Sequence, residues 1–303
     1  MKKQNETRSR DSGFLHIYKP AGINSTRMVS MVKKKLNLRK IGHTGTLDNF
    51  AEGLMILPYG SYTAFADYFL GMDKSYIAEI KFGSKTDSGD CNGEIMEQWD
   101  DVATSAFFQA HAEELRQSCE QIKNLTSQVA PKISALKVNG KRQSDLFRSG
   151  IEFADKTRKI TIYSLQTGDW SEKGFSMHVH VSSGTYIRKL IADLSDQSGF
   201  PMHITRLIRT SIGSFKLDTA WQMQDIESGK YEVMGLESIG LLQIQVSAAE
   251  AEKIRHGQYP PIVDIPQEQD FILVDGAGKG VAYCSSKTAD SRRKYRFKKV
   301  FQD

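Results

Sequence analysis

The alternation of apolar and polar positions along the chain predicts several β-strands. At 75–82 the even positions are apolar or aromatic, from Tyr76 to Phe82, and three of the four odd positions are polar, which is typical of a half-buried strand. At 175–182 apolar residues take one face, and His178 and His180 take the other. Short apolar runs that end at turn residues predict further strands at 14–18, 54–58 and 160–165, and a hairpin at 271–276 and 280–284.

Apolar residues three or four positions apart predict helices between these strands. Met28, Val32 and Leu36 lie four apart on one face, and Asn24 or Ser25 can cap that helix. A second helix is predicted from the apolar residues Ile187, Leu190, Ile191 and Leu194. Thr185 is predicted to cap its start, and Gly199 and Pro201 are predicted to end it. Further helices are predicted at 63–70, 105–125 and 247–256.

Composition narrows the class of protein. The 303 residues are 39% hydrophobic and 25% charged, which indicates a soluble globular protein with one large domain or a large and a small one. The net charge of +5 permits a polyanionic partner without requiring one. The three cysteines form no CxxC pair, so we expect a reducing compartment, the cytoplasm. No apolar run predicts a membrane span, and the polar, basic stretch 1–13 is expected to be a flexible tail rather than a secretory signal.

The segment 42–53, GHTGTLDNFAEG, is the first candidate for chemistry. Three glycines in twelve residues suit a backbone that turns sharply or lies against a ligand. Asp48 is the one aspartate in this segment, and no predicted helix begins directly after it that it could cap. An Asx-turn, in which Asp48 bonds its own backbone, explains the same residues equally simply.

The second candidate is SGTYIR at 183–188. Arg188 is predicted in the first turn of a helix, where the helix dipole disfavours a cation. This unfavourable placement indicates a partner carboxylate elsewhere in the chain, although a surface acid would also serve.

Several other polar patterns have simpler explanations. His178 and His180 lack a third metal ligand, and the acidic loop 86–94 lacks the length and closing glutamate of an EF-hand, so no metal site is predicted. The basic residues at 33–40 suit a helix C-terminus or form a positive patch before the glycine-rich segment. The basic stretch 292–299, interleaved with Tyr295 and Phe297, suits an RNA-binding groove or a charged edge strand.

Six motifs, taken together and in order, resemble those of TruB-type tRNA pseudouridine synthases. They are KPAG at 19–22, GHTGTLD at 42–48, DKSY at 73–76, QVAP at 128–131 with SALK at 134–137, SGTYIR at 183–188, and the segment 203–209. They cover residues 14–215. The C-terminal segment resembles the small PUA-like domain of bacterial members less closely.

The resemblance implies an α+β fold with a curved, mostly antiparallel central sheet. It implies domains at 14–240 (catalytic) and 241–303 (PUA-like, RNA-binding), after the tail at 1–13. The implied reaction detaches uracil from C1′ of the ribose, rotates it and rejoins it through C5, at position 55 in the T-loop of tRNA. It implies no cofactor and no metal, a stand-alone bacterial type of enzyme, no membrane association, no obligate protein partner and a monomeric state.

The resemblance also assigns site residues. Asp48 takes the position of the nucleophile, and Arg188 that of the partner that keeps it ionised and oriented. Tyr76 takes the position of the tyrosine that stacks on the flipped base, and it is also a candidate for the base that removes the C5 proton. Tyr186 and Leu207 match positions that line the nucleotide pocket, and His43 matches the residue that fills the gap beside the flipped base.

Some residues depart from the family pattern. Asn49 and Glu52 stand where proline and a small or hydroxyl residue are common, and Ser144 and Ile133 stand where aromatics are frequent. The departures concern fine contacts with RNA and leave the set of Asp48, Tyr76 and Arg188 intact.

Three alternatives to a stand-alone synthase remain at this point. An RNA-binding or RNA-folding module would not require the pairing of Asp48 with Arg188. A phosphate-handling enzyme could use the glycine-rich segment, but the chain lacks GxxxxGK[ST]. A guide-RNA-dependent relative shares these motifs, although the short C-terminal segment favours the stand-alone type.

Overall fold

A computed structural model describes residues 11–131, 137–138, 141–142, 149, 151, 156–287 and 294–302. Most of the predicted tail at 1–13 lies outside these residues, as do the SAL of the SALK motif, the departures at Ile133 and Ser144, and the arginines at the start of the basic stretch 292–299. Within the described residues no helix is long and apolar enough to cross a bilayer.

The structure combines strands and helices along the whole described chain. Its strands are β1 (Gly13–Lys19), β2 (Glu52–Tyr59), β3 (Lys74–Phe82), β4 (Ser84–Thr86), β5 (Ile95–Gln98), β6 (Ser127–Val129), β7 (Lys137–Val138), β8 (Lys141–Arg142), β9 (Thr157–Lys159), β10 (Ile162–Ser171), β11 (Gly174–Val181), β12 (Met202–Ile212), β13 (Phe215–Lys216), β14 (Leu242–Gln245), β15 (Asp270–Val274), β16 (Gly280–Ser285) and β17 (Arg296–Val300). Its α-helices are α1 (Ser25–Lys35), α2 (Ala66–Leu70), α3 (Asp101–Gln121), α4 (Ile187–Ser198), α5 (Met223–Ser228) and α6 (Ala248–Arg255). Short 3₁₀ turns lie at Gly60–Phe65, Ile122–Asn124, Leu217–Thr219 and Leu236–Ser238.

A seven-stranded sheet forms the centre, in the order β1-β2-β12-β3-β11-β10 with β13 beside β12. All its pairings are antiparallel except that of β12 with β2, so the prediction of a mostly antiparallel α+β fold is confirmed. The strand β3 lies in the middle, with β12 on one side and β11 on the other. This register sets Tyr76 opposite Arg209 on β12 and Val179 on β11.

Alternating residues of the sheet pack into two different cores. Met55 and Leu57 of β2 point into the larger one, which also contains the buried faces of α1 and α4. Leu54 and Ile56 point the other way, into a core that includes Tyr283 and other residues of the C-terminal strands. This division follows from the period of two along a strand.

The C-terminal strands form a separate sheet in the order β14-β15-β16-β17. The predicted hairpin is present as β15 and β16, and the predicted helix at 247–256 is α6, with Ser247 as its cap in a capping box with Glu250. Phe65, in the 3₁₀ turn that follows β2, packs against Tyr283 of β16 with the rings tilted by 31° and their centroids 4.4 Å apart, which joins this sheet to the segment after β2. The domain boundary at 240/241 stays a prediction.

Two helix predictions need correction. Thr185 does not cap α4: its hydroxyl donates to Ser182 O, and Tyr186 occupies the cap position without a side-chain hydrogen bond. Hydroxyl side chains commonly form such local hydrogen bonds to backbone carbonyls, which compete with capping. The helix expected at 105–125 begins at Asp101, because the Asp100 carboxylate caps it by accepting from Ala103 N.

Glu52, one of the departures from the family pattern, joins β2 to β1 and β12 in the central sheet, and Arg206 extends the connection to β3. It accepts hydrogen bonds from the Tyr18 hydroxyl on β1 and from Arg206 Nε on β12, the latter at 2.7 Å. Arg206 also donates to Glu79 on β3 at 3.1 Å. Burial raises the pKa of Glu52, but the hydrogen bonds from Tyr18 and Arg206 more than offset this, and the net shift is downward. The ionised carboxylate of Glu52 therefore links neighbouring strands of the central sheet.

We predict that Glu52 and Arg206 are energetically coupled. In a double-mutant cycle with Glu52→Gln and Arg206→Gln, chemical denaturation should give a coupling free energy of about 1 kcal/mol, because the Glu52 side chain is only 13% exposed. The matched cycle of Glu79→Gln with Arg206→Gln should give less, because Glu79 is 51% exposed. Equal or reversed couplings would contradict this assignment.

His16 on β1 is buried in an apolar setting. Its Nδ1 lies 3.1 Å from Thr219 Oγ1, its ring packs edge-on against Phe215, and its Nε2 has no hydrogen-bond partner among the described residues. Burial lowers the pKa of His16 from 6.5 to about 4. The unfolded chain therefore takes up a proton near pH 6.5 that the folded chain takes up only near pH 4.

We predict that His16 makes the protein lose stability as the pH falls from 6.5 to 4. The loss from this residue should approach about 3 kcal/mol at pH 4, since each pKa unit corresponds to about 1.4 kcal/mol. Denaturation of His16→Asn at pH 7 and pH 4 should therefore show a smaller loss than the wild type. The exposed His178→Asn serves as the control and should behave like the wild type. If His16→Asn and the wild type lose stability in parallel, His16 does not carry the effect.

Candidate active site

The glycine-rich segment forms a loop that is anchored on both sides of Asp48. Gly42 N donates to Pro58 O and Thr44 N to Ile56 O, so the loop first runs beside β2. Leu47 is then held by the Ser25 hydroxyl, which accepts from Leu47 N at 2.9 Å and donates to Leu47 O at 3.0 Å. Asp48 follows directly, so its backbone position is fixed by the first residue of α1.

The Asp48 carboxylate is bound by Arg188 through two hydrogen bonds. Nε donates to Oδ2 at 2.7 Å and Nη2 to Oδ1 at 3.3 Å. Arg188 Nη1 donates to Ser88 O at 2.8 Å and lies 3.3 Å from Asp90 Oδ2. The Arg188 side chain is 4% exposed and that of Asp48 is 44% exposed. The arginine is therefore enclosed, whereas the aspartate keeps one side open.

Asp90 is a second carboxylate partner of Arg188, and the sequence analysis did not predict it. It lies in the acidic loop 86–94, which was considered in the sequence only as a calcium site and rejected, and its side chain is 6% exposed. Burial raises the pKa of Asp90, and the charge of Arg188 opposes this without cancelling it. Nothing in the local sequence distinguishes Asp90 from the other acids of that loop, because its partner lies almost 100 residues away.

Tyr186, the residue before α4, is fixed by Gln128. The amide of Gln128 donates to Tyr186 O at 3.0 Å and accepts from Tyr186 N at 2.8 Å. This pair of bonds sets the start of the helix that carries Arg188. The QVAP motif contains Gln128, but no local feature of that motif indicates what the side chain binds.

Arg209 fixes the glycine-rich loop from the opposite side. It is fully buried on β12 and donates to Leu54 O at 2.8 Å, and to Thr46 O and Gly45 O at 3.3 Å each. Burial lowers the pKa of Arg209, while a hydrogen bond with the Tyr76 side chain opposes that shift. One residue thus connects the loop of Asp48 to the ring of Tyr76.

Two buried lysines complete the support. Lys19 Nζ donates to Ala51 O at 2.6 Å and to Pro20 O at 2.9 Å, and Lys74 Nζ donates to the carbonyls that end α2, among them Leu70 O at 2.7 Å. Burial lowers the pKa of each lysine to about 8; the Asp48 charge opposes this at Lys19, and Asp73 opposes it at Lys74. Their donors are directed at backbone rather than at the open side of Asp48.

All six predicted site residues line one cavity of about 430 Å³. They are His43, Asp48, Tyr76, Tyr186, Arg188 and Leu207. The volume falls within the range of small-molecule sites, about 300–1,000 Å³. Among the residues that the structure describes, no three His, Cys, Asp or Glu side chains are placed to hold a metal ion. The cavity thus offers two carboxylates, Asp48 and Asp67, together with two tyrosines, cationic side chains and apolar walls.

His43 also lines this cavity, and its surroundings disfavour its charged form. Burial lowers the pKa of His43, and the charge of Arg209 lowers it further. A protonated imidazole is therefore disfavoured there at neutral pH. This agrees with a residue that occupies space rather than one that exchanges protons.

The sequence is similar to that of curated bacterial proteins over most of its length. Residues 33–187 match the family described as TruB family pseudouridylate synthase (N terminal domain). A protein of Leptospira interrogans serogroup Icterohaemorrhagiae serovar copenhageni named tRNA pseudouridine synthase B is 42% identical over 285 residues, which cover 94% of this chain and 92% of that protein. The protein of the same name from Clostridioides difficile is 37% identical over 216 residues, covering 71% and 70%.

Solved structures share the fold at lower sequence identity. A chain of a Cbf5-Nop10-Gar1 complex aligns with a TM-score of 0.69 at 20% identity, covering 96% of this chain and 85% of that one. A chain of an H/ACA RNP bound to a substrate RNA containing 2′-deoxyuridine aligns with a TM-score of 0.68 at 19% identity, covering 97% and 86%. The family match covers about half of the chain, and the match to the Leptospira protein covers 94% of it. These two matches establish the family. The chain belongs to the TruB family of pseudouridylate synthases.

Proposed function

We propose that this protein isomerises uridine 55 in the T-loop of tRNA to pseudouridine. The observation that carries the proposal is the Asp48 carboxylate, which Arg188 holds through two hydrogen bonds while its other side faces a cavity that contains Tyr76. The relatives named tRNA pseudouridine synthase B support tRNA as the substrate.

The reaction is an isomerisation whose atoms balance without a cofactor. The bond from C1′ to N1 breaks, a bond from C1′ to C5 forms, the proton on C5 leaves and N1 gains a proton. Asp48 acts as the nucleophile, toward C6 of the base or C1′ of the sugar, and is released unchanged at the end. No electrons are gained or lost, so no redox partner is needed.

Arg188 keeps the nucleophile ionised and aimed. Its planar guanidinium fixes both carboxylate oxygens, which is a geometry that lysine cannot reproduce. Because Arg188 is enclosed and also bound to Ser88 O and Asp90, it cannot follow Asp48 if the carboxylate moves. The carboxylate is thus pre-oriented before the RNA arrives, which reduces the reorganisation needed in the reaction.

The remaining cavity residues receive an extruded base. Tyr76 stacks on the flipped uracil, Tyr186 and Leu207 form the walls, and His43 fills the gap left in the RNA. Extrusion costs a few kcal/mol and is least costly in a loop, where the base is not fully paired. Arg209 sets the direction of the Tyr76 ring from behind.

The small C-terminal sheet serves as a PUA-like RNA-binding domain, and the enzyme works alone as a monomer in the cytoplasm. The bacterial relatives that align over almost the full chain, including the C-terminal part, support the stand-alone type.

We predict that Asp48→Asn abolishes pseudouridine formation and leaves tRNA binding within about threefold of the wild type. The amide retains the size of the side chain but cannot attack as an anion. Pseudouridine has the mass of uridine, so the product should be measured by a carbodiimide label that stops reverse transcription. Asp101→Asn, at the exposed start of α3, is the matched control and should be fully active. Persistent product from pure Asp48→Asn protein would rule out the assigned role, and a wild type that binds tRNA but modifies nothing would favour an RNA-binding module.

We also predict that Arg188→Lys lowers the single-turnover rate by about 100-fold or more without a comparable loss of tRNA affinity. Lysine keeps the charge but cannot hold both oxygens of Asp48, and small misplacements of a reacting group have effects of this size. Lys189→Gln, which removes the neighbouring charge paired with Asp193, is the control. A rate for Arg188→Lys close to that of the wild type would show that the fork geometry is unnecessary.

A further inference from the structure

The positive charge of the chain is concentrated beside the glycine-rich loop. Residues 20–47 contain six lysines and arginines and no aspartate or glutamate, so this segment alone exceeds the net charge of +5 of the whole chain. Five of the six lie together at the end of α1 and in the turn that follows. We call Lys33, Lys34, Lys35, Arg39 and Lys40 the cationic end of α1.

The cationic end of α1 is exposed and has no acidic counterpart. All five residues are exposed, and none forms an ion pair with an acid among the described parts of the chain. The three lysines of the last turn suit the negative end of the helix dipole. Arg39 and Lys40 lie beyond the helix, where the dipole effect has faded, so helix stability does not account for them.

The helix α1 connects this surface to the active site as a rigid spacer. Its first residue, Ser25, is bonded on both sides to Leu47, next to Asp48. Its eleven residues span about 16 Å at 1.5 Å per residue. The other end is fixed as well, because Gly60 N donates to Lys40 O beyond the end of β2. The cationic end therefore lies too far away to touch a nucleotide bound at Asp48.

We propose that the cationic end of α1 binds the phosphodiester backbone of the RNA substrate at a point distant from the nucleotide in the cavity. This inference rests on the proposed function, because it requires an RNA that enters the same cavity. Lysine and arginine side chains that neutralise phosphates release counterions and provide affinity that does not depend on sequence. Two anchors at a fixed spacing, one flipped nucleotide and one backbone segment, orient a folded RNA on the protein.

An RNA suits this surface better than an acidic protein does. Protein interfaces are depleted in lysine and have an apolar centre. The five residues here are all cationic, and the apolar residues between them, Leu36 and Leu38, are only partly exposed. An RNA held at Asp48 is also already present at one end of α1.

The test compares the wild type with two variants and a control by binding and single-turnover kinetics on a full-length tRNA transcript. The first variant is Lys33→Gln with Lys34→Gln and Lys35→Gln, and the second is Arg39→Gln with Lys40→Gln, which leaves the helix untouched. Each should weaken tRNA binding about tenfold near 150 mM salt, and should reduce the slope of log Kd against log salt by about 1 for each phosphate that the variant no longer neutralises. The rate at saturating tRNA should stay unchanged, because no residue of the cavity is altered.

The matched control removes three exposed lysines that are scattered over the fold. Lys173→Gln, Lys216→Gln and Lys230→Gln together change the net charge by the same amount as the first variant. If affinity depends only on net charge, this control should behave like the first variant. We expect it to retain nearly all of the affinity and salt dependence of the wild type.

The outcomes separate this inference from the proposed function. Wild-type levels of affinity and salt slope in the Arg39 and Lys40 double variant would overturn the inference even if the enzyme makes pseudouridine. Loss of tRNA binding in both variants, with a wild type that modifies no uridine, would support the inference and contradict the proposed function. If the variants bind tRNA normally but lose binding to vesicles of anionic lipid, the surface serves a membrane instead of RNA.

Discussion

The ion pair between Arg188 and Asp48 is the constraint on which the site depends. Its cation is almost fully enclosed at the beginning of α4, where the helix dipole is unfavourable, so it is stable only with carboxylates beside it. Asp48 and Asp90 provide them, and Ser88 O accepts a further hydrogen bond. Of the two carboxylates beside Arg188, Asp90 is buried and Asp48 is not, so Asp48 is the one that is open to the cavity.

The surrounding structure fixes both halves of this pair. Ser25 and Arg209 hold the loop of Asp48 from two directions, and Gln128 sets the start of the helix that carries Arg188. The order of the central sheet brings β12 and β3 together, so Leu207 and Tyr76 lie on the walls of the same cavity. These contacts are mostly hydrogen bonds from side chains to backbone, which set the loop position without occupying the open side of Asp48.

The local sequence predicted much of this arrangement, but not its supports. Periodicity identified the strand of Tyr76 and the helix of Arg188, because burial on one face leaves a regular pattern. The unfavourable position of Arg188 correctly indicated a carboxylate partner. Asp90, Gln128 and Arg209 could not be found in this way, since each acts on residues far away in sequence and has no periodic signature. Thr185 was predicted wrongly as a cap because its hydroxyl has a competing partner in Ser182 O.

The departure at Glu52 acquires a physical explanation from the fold. A carboxylate at the first residue of β2 joins β1 and β12 just after the loop of Asp48. Among the described residues, the Asn49 side chain forms no comparable hydrogen bond, and only its backbone carbonyl accepts one, from Gly22 N. The glycine-rich segment thus carries both the carboxylate of the site and, at Glu52, a contact that holds the central sheet together.

A structure of the protein with a T-arm RNA that carries 5-fluorouridine at position 55 would test the central claim most directly. Fluorine at C5 cannot leave as the proton does, so the RNA should remain in the site. We expect the base to be extruded into the cavity and stacked on Tyr76, with an Asp48 oxygen bonded to or within about 3.5 Å of C6 or C1′. A base that remains in the RNA stack, or that binds away from Asp48 with the Arg188 pair undisturbed, would contradict the assigned role of Asp48.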